Sequence, residues 1–382
     1  MPNNFRNNPG ALEEQANHVH VDNPGRGNAM TDDSPNLGGP LPSPLRSRGE
    51  YLRELKPHVP PHMFRRRPDV LWALAANSVV IWGSAFLIGN GAGTLLTIAC
   101  MLTTSVSFTS LVMQAHDLSH ETIVGRGPVL ATLEIYAWGL AMVPRTLWKK
   151  LHNGLHHARV ASPGDPDRRF LVSEATLFRR RYSQLFHPSR HTPRWNPLIY
   201  LGAAYFAYAG AHIAYALLGR WIGRPSILAA VPRYTMNDRR ALVVELAVAL
   251  GLHGALFALA GGTIAGYALA VVAPAMSSTA VFMHYIYTQH SLLPMTPIDD
   301  PLANSTSIRL PRIVDAIHHH LSHHIEHHLF PRVPSIYYPE IRRILAQRYP
   351  ATFRTVPVRQ ALAALWRSEL FAADPVPARD CD

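Results

Sequence analysis

The chain has 382 residues, long enough for two soluble domains, yet 48% of them are hydrophobic and only 16% charged, a polar share too lean for an ordinary soluble globule. Its formal charge is +11, but Lys and Arg sit beside apolar segments and form no stripe interleaved with aromatics, which argues against nucleic acid as a partner and for juxtamembrane charge facing anionic headgroups. The only cysteines are Cys100, inside an apolar run, and Cys381, at the end. A structural disulfide is not expected, nor is cysteine ligation of a metal.

Residues 1–43, rich in Asn, Pro, Gly and Asp and without a long apolar run, read as a disordered cytosolic leader in which His18 and His20 are incidental. Residues 44–350 read as one membrane domain, and 351–382 as a C-terminal helix and tail. Segments 70–88, 92–113, 241–260 and 263–283 are predicted to cross the bilayer. Between Asp69 and Asp117, and again between Glu245 and Asp299, there is no Asp, Glu, Lys or Arg, and a crossing needs roughly 20 apolar residues. Gly89-Asn90-Gly91 and Gly261-Gly262 join the segments into two tight hairpins.

Two further apolar runs are read as non-crossing. Residues 129–143 are short for a span and carry Glu134, which suits an interfacial or re-entrant helix. Residues 196–219 lie between Arg179, Arg180, Arg181, Arg190 and Arg194 on one side and Arg220, Arg224, Arg233, Arg239 and Arg240 on the other. If this run spanned, one cluster would lie outside, against the positive-inside bias. Its residues Tyr200, Tyr205, Tyr208, His212 and Tyr215 fit a helix at headgroup level.

Most of the 22 histidines fall at the ends of the predicted spans or in segments on that same face. They form His116-Asp-Leu-Ser-His120, His152-Asn-Gly-Leu-His156-His157, the separate His284 and His290, and a run from His318 that closes His324-Ile-Glu-His327-His328. Each helical residue turns about 100°, so His116/His120, His152/His156 and His324/His328, all at i,i+4, are each expected to aim two imidazoles at one point. The adjacent pairs His156-His157 and His327-His328 diverge and would serve different ions, which predicts two metals. Imidazole suits iron, zinc, copper or nickel, and spacing does not choose among them. One HxxxH on a helix is more often a solvated face. Three such groups, two ending in a doubled His and each beside a span, reverse that reading. The zinc-protease string HExxH is absent, because His120-Glu121 runs on to Thr122, Ile123, Val124 and Gly125.

In these motifs the chain resembles the membrane fatty acid desaturase family, whose three histidine boxes are separated by membrane hairpins. The resemblance runs from about residue 70 to about 350. It extends to Trp148 before the second box, Gly164-Asp165-Pro166-Asp167 after it, and His328-Leu329-Phe330-Pro331 closing the third. It agrees with an all-α integral membrane protein of two transmembrane hairpins, with interfacial helices and a cytosolic helical cap carrying a histidine-ligated di-metal site. It implies that the ligands are His116, His120, His152, His156, His157, His324, His327 and His328, with His290 as an extra ligand. The metals it implies are two iron ions, with O₂ as co-substrate. Ile286 stands where some relatives carry an asparagine that helps hold a metal-bound water, so His284 or a bare water is expected to substitute. Asp117, Asn153 and Glu326, inside the boxes, are expected to fix imidazole tautomers by hydrogen bonding. His318, His319, His320 and His323 stay outside the ligand set, although His320, one turn before His324, is within reach. His187, His191, His212 and His253 read as structural or interfacial.

Alkyl carbon–hydrogen bonds resist acids, bases and side-chain nucleophiles, so a redox metal activating O₂ is required to oxidise a lipid chain. In the family's chemistry two external electrons reduce the centre and hydrogens leave adjacent carbons, giving a double bond. Return of oxygen gives an alcohol, and lipid hydroxylases and carotenoid ketolases share such histidine sets. The flanking strings favour a desaturase. A histidine-rich metal-binding or transport protein is the rival of another class, but transport needs polar groups across the bilayer. Here only His253 is ionisable in mid-span, with Glu245 near an end. No His-Pro-Gly-Gly, GxGxxG or cysteine cluster occurs. Electrons are therefore expected from an external carrier of ferredoxin or cytochrome b5 type, docking on basic segments such as Arg179, Arg180, Arg181, Arg342 and Arg343 unless those adhere to the membrane surface. The active site is expected on the cytosolic side, of the inner membrane in a bacterium or the endoplasmic reticulum in a eukaryote.

Overall fold

A computed structural model describes residues 44–162, 164–166, 186–190, 192, 197–222, 228, 230–293, 296 and 298–368. The predicted leader with His18 and His20, the residues Asp167, Arg179, Arg180, Arg181, His191, Arg194 and Arg224, and the tail with Cys381 lie outside the described residues.

The chain enters through α1 (Arg48–Leu55), which starts at a capping box. The Ser47 hydroxyl accepts from the Glu50 amide, and the Glu50 carboxylate accepts from the Ser47 amide at 2.7 Å. The first hairpin follows as α2 (Leu71–Gly89) and α3 (Thr94–Ser119). Next come α4 (Pro128–Leu140), α5 (Arg145–Trp148) with a π-helical continuation over Lys149–His156, and α6 (Pro197–Ile222). The second hairpin is α7 (Met236–Leu259) and α8 (Ile264–Ser291), the latter interrupted by π turns at Ala268–Val272 and Tyr287–Ser291.

Among the described residues, four helices are long and apolar enough to cross a membrane: Pro68–Gly89, Thr94–Ser119, Met236–Leu259 and Ile264–Ser291. Their outward faces expose large apolar side chains such as Trp72, Val79, Leu95, Leu102, Val244 and Leu250, a band that water disfavours and lipid covers. The exits run further than hydropathy suggests. α3 continues six residues past 113 and α8 eight past 283, because the backbone ladder is indifferent to the side chains becoming polar. That extension puts His116 and His290 on the spans themselves.

The two hairpin tips meet at the end away from the histidines. Gly89 lies so close to the second tip that an added Cβ would collide with the Leu259 carbonyl, and Gly91, Gly261 and Gly262 turn with φ of +82°, +87° and +65°, open to glycine alone at no cost. α4 is too short to cross, as predicted. α6 lies along α8, where Gly202 abuts the Met276 backbone and its carbonyl accepts from the Thr279 hydroxyl at 3.1 Å.

At the opposite end a cap is built from α9 (Pro301–Asn304), β1 (Ser307–Arg309), α10 (Arg312–Ile317), α11 (His324–Leu329), α12 (Tyr338–Arg348), β2 (Thr355–Pro357) and α13 (Val358–Arg367). β1 and β2 pair in parallel, Ile308 opposite Val356, a small departure from the purely helical expectation. A second apolar core unites Tyr51 and Leu55 of α1, Ile325 and Leu329 of α11, and Ile341 and Leu345 of α12. The apolar positions of α11 are thus buried on one side, which turns its histidines toward the spans.

Candidate metal centre

Each histidine box is positioned by a different device. Box one is the last turn of α3, with His120 closing the helix. Box two is anchored ahead of its first histidine. The buried Glu134 of α4 pairs with Arg145 and with Lys149 at 2.7 Å, and the Glu245 carboxylate of α7 accepts from the Thr146 amide at 2.8 Å and hydroxyl at 2.7 Å. Box three is α11. His290 rides on the closing π turn of α8, where Gln289 donates to the Leu321 carbonyl at 2.8 Å.

The nine histidines expected as ligands gather into two groups. His116, His120, His152, His157 and His327 form one, and His156, His290, His324 and His328 the other. Within each group the candidate ligand atoms lie within 4.8 Å of one another, and every one of these residues is buried. The doubled pairs split as their divergence predicts, His156 from His157 and His327 from His328. One expectation fails: His152 and His156 do not converge on one point. The segment winds as a π helix, in which the His157 amide donates to the His152 carbonyl at 3.0 Å. The wider turn aligns i with i+5, so His152 partners His157 and His156 turns to the other group.

Inside each group ring nitrogens face one another. His116 Nε2 is 3.0 Å from His152 Nε2, and His157 Nε2 is 3.1 Å from His152 Nε2 and 3.0 Å from His327 Nε2. His324 Nε2 is 2.6 Å from His290 Nε2 and 3.1 Å from His328 Nε2. The outer nitrogens determine which atom carries the proton. His116 Nδ1 donates to Asp117 Oδ1 at 3.3 Å, His156 Nδ1 to Asp165 Oδ1 at 2.9 Å, and His290 Nδ1 to the Asn304 carbonyl at 3.3 Å. Those acceptors carry no proton of their own, so the three Nε2 atoms point inward as lone pairs. His327 Nδ1 meets the Tyr338 hydroxyl at 3.0 Å. Burial, reinforced by neighbouring imidazoles, holds His120, His152, His157, His324, His327 and His328 far below the ordinary histidine pKa, so they are neutral. The His116 and His290 lone pairs each face a second ring nitrogen, across 3.0 and 2.6 Å, and His120 Nε2 is buried with no hydrogen-bond partner among the described residues, so a cation in each group would satisfy these nitrogens. The donor set therefore fits two imidazole-binding metal ions.

Both groups border one apolar cavity. His116 and His152 reach it from the first, and His156, His290 and His324 from the second. Its walls include Trp148, Tyr205, Ala209, Phe282, Met283 and Ile286. Trp148 stacks on the His152 ring at 4.7 Å between centroids, and Trp138 stacks on Trp148 at 4.3 Å.

Several neighbours act otherwise than their positions in the sequence imply. Asp117 contacts a candidate ligand, as described. Asn153 donates to the Ser119 carbonyl at 2.9 Å and ties box two to box one without touching a ring. Glu326 accepts from His323 and Arg342 and not from any of the nine, because the helical twist turns it away from His324 and His327. His284 donates to the Ala280 carbonyl at 2.8 Å and lies outside both groups, so it does not stand in beside Ile286. His320 turns to Asp315 instead of the nine. His318 meets the Tyr285 hydroxyl at 2.8 Å and His319 the Ser110 hydroxyl at 3.1 Å, stapling their turn to two spans. Arg342 is bound to Glu326 at 2.7 Å, so its charge is already engaged within the cap. Asp165, Asn304 and Tyr338, the outer partners of candidate ligands, were not singled out from sequence. Only Asp165 had a signal, as part of the string after box two.

Residues 92–358, well over half of the chain, match the family model for fatty acid desaturase. The chain belongs to the fatty acid desaturase family. Membership makes this integral membrane protein an oxidoreductase of the desaturation type. No curated protein matches the chain.

Proposed function

We propose that this family member desaturates a fatty acyl chain, using O₂, a pair of iron ions and electrons from an external carrier. The ligands in this reading are His116, His120, His152, His157 and His327 for one ion and His156, His290, His324 and His328 for the other. The observation that carries it is the set of inward lone pairs in two groups opening on a single apolar cavity. Bound iron supplies the activation of O₂ that an unactivated carbon–hydrogen bond demands.

The protein's own residues do the rest. Asp117, Asp165 and Asn304 keep the ring protons on the outer nitrogens, so no proton competes for the inner ones. Trp148, Tyr205, Phe282, Met283 and Ile286 clasp the acyl chain and exclude water from the reacting carbons. The uncharged hairpin tips and the basic residues around the cap, among them Arg48, Arg312, Arg332 and Arg343, favour a cytosolic site by the positive-inside bias. The same rim, without Arg342, offers an acidic electron carrier a cationic landing.

The test is expression in a desaturase-deficient cell, with lipid profiling of the wild type beside His156→Ala. Acyl chains lacking two hydrogens are expected with the wild type only. Chains that gain an oxygen would make the enzyme a hydroxylase. Identical profiles for the two proteins, with no O₂ consumed by reduced, iron-loaded protein, would remove the catalytic reading.

A further inference from the structure

The cap holds another donor set, separate from the nine histidines and chemically different from them. Asp315 of α10, His320 in the turn that follows and His323 just before α11 bring a carboxylate oxygen and two ring nitrogens within 4.8 Å of one another. Asp315 Oδ2 is 3.1 Å from His320 Nδ1 and 3.1 Å from His323 Nε2. Ligand atoms set tetrahedrally about 2.0–2.2 Å from a zinc-type ion are about 3.3 Å apart, so the spacing suits a shared ion.

The far sides of Asp315 and His323 are already engaged. Ser322 donates to Asp315 Oδ1, which leaves Oδ2 for the common point. His323 Nδ1 donates to Glu326 Oε1 at 3.2 Å, and Glu326 is held in turn by Arg342 at 2.7 Å and by Ser307. A carboxylate behind one imidazole nitrogen and an ion before the other is the usual way a ligating histidine is oriented. His320 reaches the point from a backbone with φ of +54°, following His319 at +48°. Two successive non-glycine residues in that region are strained, and a tie at this turn offsets the strain. The side chain of His320 is 20% exposed, which gives an ion a route in from solvent.

We propose that Asp315, His320 and His323 form a third metal site that takes a divalent ion of the zinc type. It clips α10 and the turn after it to the start of α11, one residue ahead of His324. None of the three lines the acyl cavity, so the site is structural, and it accounts for the position of Glu326 behind His323.

The experiment uses the full-length, iron-loaded protein, supplemented with zinc, passed through gel filtration without chelator, and analysed for zinc and iron separately by mass spectrometry. One zinc per chain is expected in addition to iron. Asp315→Asn and His320→Gly, the second free to take the left-handed backbone, are each expected to lose that zinc and retain the iron of the wild type. His318→Ala, which removes a neighbour outside the set, is expected to keep it. Wild type that retains no zinc would overturn the site and leave a proton on His323 as the bridge between Asp315 and Glu326. Equal zinc loss in His318→Ala would also overturn it, by reducing the binding to the run of three histidines. Because zinc is counted apart from iron, failure here leaves the di-iron reading standing, and the reverse holds.

Discussion

An imidazole binds a metal only through the nitrogen that lacks a proton, so the outer partner of each ring decides what the inner atom can do. Asp165 does this for His156 from a buried position. Asp165→Asn puts an amide donor within reach of Nδ1 and favours the tautomer with the proton facing the ions. Iron affinity should fall roughly 10–100-fold, measured by chelator titration of the purified protein. An unchanged affinity would mean that Asp165 orients nothing. His212 of α6 shows the opposite use of burial. It is fully buried, neither ring nitrogen has a hydrogen-bond partner among the described residues, and burial pushes its pKa down to about 3. The unfolded chain binds a proton there below about pH 6.5 and the folded chain does not, so this residue costs stability progressively as pH falls from there toward 3. His212→Phe should stabilise the protein by about 1–3 kcal/mol, the cost of an unmet polar group, and should flatten the acid limb of its thermal stability against pH. A lower melting temperature at neutral pH would refute this.

At the scale of elements, the decisive feature is the winding of the segment after Trp148. Spacing of i,i+4 on an α helix would aim His152 and His156 together, but the π turn pairs His152 with His157 and frees His156 for the other group. The segment is held where it begins, by Glu134 against Arg145 and Lys149. Glu134→Gln keeps the shape and removes the charge, and should cost about 2 kcal/mol of stability. It should also lower iron retention, because His152, His156 and His157 all hang from this segment. Full iron content at a reduced melting temperature would show that the anchor stabilises the fold without placing the ligands. The histidine boxes, the four spans and their glycine tips were legible from local pattern alone. The π winding was not, because a single inserted residue per turn leaves no mark in hydropathy.

For the whole molecule, the spans bring box one and His290 to the same end while the cap lowers box three onto them, so the ions would join parts of the chain more than 200 residues apart. An ion that binds the folded state alone adds about 2.7 kcal/mol at a hundredfold excess over its Kd. Chelation should therefore lower the melting temperature of the iron-loaded protein in detergent. His156→Ala, already short of a ligand, should respond less. Equal responses would place the metal-linked stability elsewhere.

The order of residues by itself determined the membrane class, the two hairpins and the short list of metal-binding side chains, because hydropathy and residue chemistry are local properties that read directly from neighbours. Only the tertiary structure decided how the imidazoles divide between the two groups, which nitrogen of each ring faces inward, and that Glu326 and Arg342 serve the cap. Those outcomes depend on contacts between segments distant along the chain, such as Asn304 behind His290 or Tyr338 behind His327. Packing selects such contacts, and no periodicity within one segment encodes them.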